Sequence, residues 1–202
     1  MSGNPFSDEK FIMTDSAIHR ILLHCKKCFK ITLNANLICH IKDLTNIKLP
    51  TFTGSQQKYF IFIFVQPNTQ STQDDTKYRA SGHQGIRTKK NLGHWISMAC
   101  DMLGRNCLLI DPANRLNSYP DTVQQINLFC SRYSFSWFPF GVEFEGRKSK
   151  ICGITALFFC IQFSNMSIQG ILQLRTMIQS EDIRFIENHI VTSVQNHFKI
   201  VF

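Results

Sequence analysis

The sequence predicts an α+β fold, a central and mostly antiparallel sheet flanked by helices. Three observations point there. Tyr59-Phe60-Ile61-Phe62-Ile63-Phe64-Val65 is β-branched and aromatic throughout, as a strand buried on both faces is. His94 to Asp101 and Asn106 to Ile110 read as two strands joined by the turn Met102-Leu103-Gly104-Arg105. Cys152 to Phe163 and Glu181 to His197 carry helical patterns, with Ile183, Ile186, Ile190 and Val194 on one face of the second.

The remaining elements follow in order. Residues 1–14 read as a flexible leader and 15–202 as a single domain. Ser16 to Cys28 reads as an amphipathic helix, because Ile18, Ile21, Leu22 and Cys25 recur at three-to-four spacing behind Asp15 or Ser16 as N-cap. Ile38 to Leu49 shows no single pattern, and Pro50-Thr51-Phe52-Thr53-Gly54 reads as a loop. From about 66 to 92 the chain is rich in Thr, Gln, Ser, Asp, Lys and Arg, a polar loop insertion. Asp111-Pro112 ends the second strand of the hairpin. Asp121 to Arg132 reads as a helix, Phe135 to Phe144 as an aromatic-rich strand, and Gly146 to Lys150 as a basic loop.

Composition bounds the function. A chain of 202 residues with 44% hydrophobic residues and 18 Phe buries a core without staples. Lys+Arg outnumber Asp+Glu by 22 to 14, and the resulting charge of +8 favours polyanionic partners, nucleic acid first. The start, MSGNPFSDEKFIMTD, has no apolar signal core, and the apolar run Ile154 to Phe163 is shorter than the roughly 20 residues of a membrane span. An intracellular, unsecreted protein with no membrane association and mostly free thiols is therefore expected, despite eight Cys. Cys25-Lys26-Lys27-Cys28 followed by Cys39-His40 has the look of a zinc ligand set. Adjacent Cys39 and His40 would point to opposite sides of an extended chain, so no metal is expected there. His189 and His197 read as structural.

The chemistry lies in another order of residues. Gly93-His94-Trp95 is followed seventeen residues after His94 by Asp111, and then by Cys152-Gly153 at the head of an apolar run. A thiol near pKa 8.5 needs help to become a thiolate nucleophile: a base to take its proton, and a carboxylate to orient the base. Cys152 at the first turn of a helix gains from the positive end of the helix dipole and from outward backbone N–H groups. His94 and Asp111 stand near matching ends of the hairpin, so they become neighbours across it. Trp95 beside His94 is read as core that also walls the site. The histidine leads the cysteine, the reverse of the papain order.

These motifs resemble the adenovirus-type cysteine endopeptidases (adenain), and more widely the Ulp1-like SUMO proteases. Glu145-Gly146-Arg147-Lys148-Ser149-Lys150-Ile151-Cys152 is similar to the adenain run in which Gln-Gly opens a loop seven residues before the nucleophile. Leu49-Pro50-Thr51-Phe52, helix 16–28 and helix 181–197 extend the likeness more weakly. The resemblance implies the adenain/Ulp1-like protease fold, a catalytic triad of Cys152, His94 and Asp111, and a monomer. One position departs from the pattern: Glu145 stands where the family's oxyanion-donating Gln belongs. An ionised carboxylate there would repel the oxyanion, leaving a protonated Glu145, Ser149 or the backbone of Cys152 as donor.

The resemblance also implies partners. They are protein substrates such as capsid or core precursors, processed in a host nucleus, a viral factory or a virion, by an enzyme of a large DNA virus or a Polinton/Maverick element. No small-molecule cofactor is implied; DNA and a basic peptide activate such enzymes. Arg87, Lys89, Lys90, Arg147, Lys148 and Lys150 are the candidate polyanion-binding residues. Two other readings stand beside maturation endopeptidase. One is a protease for SUMO or another ubiquitin-like modifier; the other is a catalytically impaired binding or structural protein of the same fold.

Overall fold

The structure is a computed structural model that describes residues 13, 17–18, 20–21, 38–49, 58–65, 93–116, 119–146 and 149–199. Five strands lie in the sheet in their order along the chain: β1 (Ile38–His40), β2 (Lys58–Val65), β3 (His94–Asp101), β4 (Asn106–Ile110) and β5 (Ser136–Pro139). The inner pairs β2/β3 and β3/β4 are antiparallel, and the hairpin turns at residues 102–105 as the sequence predicts. The outer pairs differ from the expectation. β1 runs parallel to β2 and β5 parallel to β4, so the sheet is mixed around an antiparallel centre. The β4–β5 pair is parallel because helix α1 (Pro120–Arg132) carries the chain back between them, the crossover a parallel pair requires.

Each face of the sheet supports its own core, which is why β2 is apolar at nearly every position. Phe60 and Phe62 of β2, Ala99 of β3 and Leu108 and Ile110 of β4 pack with helices α2 (Cys152–Asn165) and α4 (Ile183–Phe198). Their neighbours Ile61, Ile63, Met98 and Leu109 face α1 and the short 3-10 helix Ile41–Asn46. Helix α2 lies between the sheet and α4, and eleven of its fourteen residues are buried. That explains an apolar run with no polar face.

Three elements depart from the sequence reading. The strand expected from Phe135 to Phe144 is a ladder only over Ser136–Pro139. Pro139 has no N–H to continue it and Gly141 takes φ +71, turning the chain toward α2. A helix the sequence reading lacked, α3 (Ile168–Ser180), starts at Ser167, whose side chain accepts from Gly170 N–H. Ile183 begins α4 but is exposed; the buried face runs through Ile186, Glu187, Ile190, Val191 and Val194.

Of the expected helix 16–28, Ala17, Ile18, Arg20 and Ile21 are helical and Ile18 is fully buried. Its remainder, with Cys25 and Cys28, lies outside the described residues, as do the loops 50–54 and 66–92. Cys39 and His40 occupy consecutive positions of β1 and so opposite sides of it. No helix among the described residues is long and apolar enough to cross a membrane.

Candidate active site

The start of β3, the end of β4, the strap 140–146 and the first turn of α2 meet at one point. Gly93 is required at the entry, because a Cβ there would fall 1.9 Å from Phe64 Cζ. Ser97 pairs with Ile110, so the register puts Asp111 across from Ile96 and His94 two residues beyond. The His94–Asp111 pair is thus diagonal rather than directly opposite, and the imidazole spans the offset. Its Nε2 lies 2.7 Å from Asp111 Oδ1.

Asp111 is held from three sides. Ala113 N–H donates to Oδ1 at 3.1 Å and Arg115 N–H to Oδ2 at 2.6 Å. Burial works against its charge, but the hydrogen bond and positive field of His94 and those two N–H groups outweigh it, holding the carboxyl below its ordinary range. An ionised acceptor fixes the tautomer: Nε2 carries the hydrogen, and Nδ1 is left for the thiol.

By the pleat, His94 and Asp111 share the parity of Ile96, Met98 and Leu109, the face turned away from α2. They reach the cysteine because both sit where their strands end, beside the first turn of α2. One nitrogen of His94, a carboxylate oxygen of Glu145 and Cys152 Sγ lie within 4.8 Å of one another. Gly153 makes the approach of α2 feasible. A Cβ there would stand 2.4 Å from Met13 Cβ and 3.2 Å from Trp95 Cδ1. Trp95 is buried under this turn, its ring 5.0 Å from Phe64 and its Nε1–H donated to Met13 O at 2.8 Å.

Cys152 is half-buried. Burial first, then the charge of Glu145, push its thiol up to about 12; the backbone N–H groups of Trp95, Gly153 and Cys152 itself oppose the shift. The resting sulfur therefore keeps its proton. Glu145 is only 4% exposed. Its own N–H and that of Phe144 donate to Pro112 O at 3.2 and 3.0 Å, which fixes the strap. Burial, then Glu187, then Asp111 raise its carboxyl to about 8, against the N–H groups of Cys152 and Ile151. At neutral pH it is mostly the neutral acid, able to donate a proton where an ionised carboxylate would repel. At rest it also occupies the Cys152 N–H that an oxyanion would use.

Other expected residues fall elsewhere. Ser149 is half-buried and its Oγ has no hydrogen-bond partner among the described residues. Lys150 is half-buried, whereas Arg87, Lys89, Lys90, Arg147 and Lys148 lie outside the described residues. His189 and His197 sit on α4, in ring contact with Phe158 and Phe198. The sequence reading missed Glu187, fully buried on α4, whose Oε1 accepts Gly146 N–H at 2.9 Å. A charge inside the Ile186–Ile190–Val194 stripe was the available signal.

No protein-family model matches this chain, and no curated protein matches it. Solved structures do. The fold is similar to that of ChlaDub1 from Chlamydia trachomatis, with TM-score 0.52 and 15% identity over 100% of this chain and 96% of that one. A second structure, of the C. trachomatis effector protein ChlaDUB1, gives TM-score 0.50 and 15% identity over 97% of this chain and 89% of that one. The mixed sheet with its flanking helices is thus the fold shared with these two structures.

Proposed function

We propose that this chain is a cysteine protease whose nucleophile is Cys152, with His94 as base and Asp111 as its orienting acid. The observation that carries the reading is the convergence of Cys152 Sγ with a ring nitrogen of His94, whose Nε2 is tied to Asp111 at 2.7 Å. Because the thiol is protonated at rest, His94 Nδ1 takes its proton as the sulfur attacks the carbonyl carbon. The carbonyl π electrons move to oxygen, and the oxyanion accepts from protonated Glu145 and from Cys152 N–H, which Glu145 yields. His94 then protonates the leaving nitrogen, the C–N bond breaks and a thioester remains. Water, deprotonated by His94, attacks the thioester; the acid product leaves and Cys152 regains its proton.

The substrate reading turns on the neighbours. The motif resemblance pointed to capsid or core precursors, but the described residues add nothing that favours these or DNA as partners. The neighbours' name carries the abbreviation for a deubiquitinase, which supports a ubiquitin-like modifier as the acyl donor. A panel tests this. Fluorogenic C-terminal conjugates of ubiquitin and of a SUMO-type modifier are set beside internally quenched precursor peptides, each with wild type and Cys152→Ala. Release from a modifier conjugate, lost in the variant, is expected. Cleavage of internal peptides alone would return the substrate to precursors. No cleavage, with Cys152 no more reactive toward an alkylating probe than Cys100 or Cys107, would leave a binding protein.

A further inference from the structure

Three donors of the kinds zinc takes converge at this site: a thiol sulfur, an imidazole nitrogen and a carboxylate oxygen, all within 4.8 Å of one another. In a tetrahedral site with bonds of about 2.0–2.3 Å, ligand atoms stand roughly 3.3–3.8 Å apart, so a contraction of about 1 Å closes the set. We propose that His94, Glu145 and Cys152 bind one Zn2+ ion, which locks the nucleophile until the metal is withdrawn.

Two observations beyond proximity favour a metal. Asp111 holds His94 Nε2 at 2.7 Å, which leaves Nδ1 as the ligand and supplies the carboxylate–histidine–metal arrangement that orients zinc-binding imidazoles. Glu145 Oε2 is buried with no hydrogen-bond partner among the described residues, and a cation satisfies such an oxygen. His94 retains 17% of its side-chain surface and Cys152 is half-buried, so the cluster is reached from solvent.

The glutamate decides the affinity. An amide at position 145 would offer a neutral oxygen, whereas the carboxylate completes a set of two anions and one imidazole around a dication. On binding, the Cys152 S–H bond breaks, its proton leaves to solvent and a Zn–S bond forms; Glu145 binds as the carboxylate, shedding any proton it holds. Nothing is oxidised or reduced. The ion is an inhibitor of the triad, and its binding does not depend on the protease reading being correct.

The full chain, reduced and stripped with a chelator, is titrated with Co2+ and then with Zn2+. One equivalent of Co2+ should bind, with a thiolate-to-cobalt charge-transfer band and the intense visible bands of a tetrahedral site, and Zn2+ should displace it. Cys152→Ala should abolish the charge-transfer band. Glu145→Gln should weaken Co2+ binding at least about 100-fold, and Asp111→Asn, which only supports a ligand, about 10–100-fold. Circular dichroism checks each fold; Cys152→Ser and Glu145→Ala replace a variant that fails to form it. A band that survives loss of Cys152 would place the metal at other thiols, such as the Cys100–Cys107 pair at 2.9 Å, and overturn the proposal. Unchanged Co2+ affinity in the Glu145 variants, or no stoichiometric binding, would overturn it too. Metal binding as expected in a chain that cleaves no substrate would remove the protease reading alone.

Discussion

The two halves of the site are built differently. In the His94–Asp111 half, both Asp111 oxygens are satisfied, one by His94 and Ala113 and the other by Arg115, and the charge is stabilised. In the Cys152–Glu145 half, burial and neighbouring negative charge (Glu145 on the thiol, Glu187 and Asp111 on the carboxyl) push the two groups the other way, to about 12 and about 8, and Glu145 Oε2 lacks a partner among the described residues. One half is complete at rest. The other holds two neutral acids, and on the proposed readings substrate or a cation supplies the partner that Glu145 Oε2 lacks. Strain of that kind belongs where bonds are made, since a preformed base is useful at rest while a preformed oxyanion site is useful only during reaction.

Substitutions on the two sides should therefore differ in size and in pH behaviour. Cys152→Ala and His94→Ala should each lower kcat on the cleaved substrate by up to about 10⁶-fold, and the double variant by no more, because such residues act as a unit. Additive losses in single-turnover kinetics would separate the two halves and break the triad. Asp111→Asn should lower kcat less, by about 10⁴-fold, since the imidazole keeps its place but loses its tautomer and its charge partner. That variant should also free the Ala113 N–H, whose acceptor Oδ1 gives way to the amide NH2 facing His94, for faster hydrogen exchange.

Glu145 gives a smaller effect of opposite sign. Its carboxyl is neutral below about 8, so wild-type activity should fall as pH rises through that value, when the donor proton is lost and a negative charge meets the oxyanion. Glu145→Gln, assayed with a chelator present, should flatten that limb and run about 10–10³-fold faster than wild type on its alkaline side. An unchanged alkaline limb would place the oxyanion donor at the backbone of Cys152 or at Ser149. Stability moves by the same linkage. With an ordinary value of 4.5 unfolded and about 8 folded, the stabilisation is complete below 4.5 and lost as pH rises toward 8. Glu145→Gln should remove that loss in chemical unfolding.

What the sequence disclosed follows the same division. The hairpin was legible because His94 to Asp101 and Asn106 to Ile110 read as strands and Met102 to Arg105 is the right length for a turn between them. His94, Asp111 and Cys152 could be named because each stands at the end of an element, where position along the chain predicts position in space. β1 was not legible: three residues paired in parallel with β2 draw on a distant contact, not on a local pattern. Helix α3 was hidden by Gly170 and by its polar outer face of Gln169, Gln173 and Arg175. The raised carboxyl of Glu145 was beyond sequence reasoning altogether, since its causes are burial and the charge of a residue forty-two positions later, Glu187.

That distant residue supplies the finest comparison. Glu187 is fully buried on α4, with Oε1 on Gly146 N–H at 2.9 Å and Oε2 without a partner among the described residues. Glu145 is thus faced by Glu187 from α4, Asp111 from the end of β4, and Cys152 and His94 from α2 and β3. Glu187→Gln keeps an acceptor for Gly146 N–H and removes one negative charge. The Glu145 carboxyl should then ionise more readily, so the alkaline limb of kcat/KM should move toward lower pH while activity on the acid plateau is kept. In the Glu145→Gln background the same substitution should move nothing, because there is no proton left to influence. A loss of activity at every pH in both backgrounds would show that Glu187 merely braces the strap at Gly146; a shifted limb present only beside a titrating Glu145 would show that it acts through the proton.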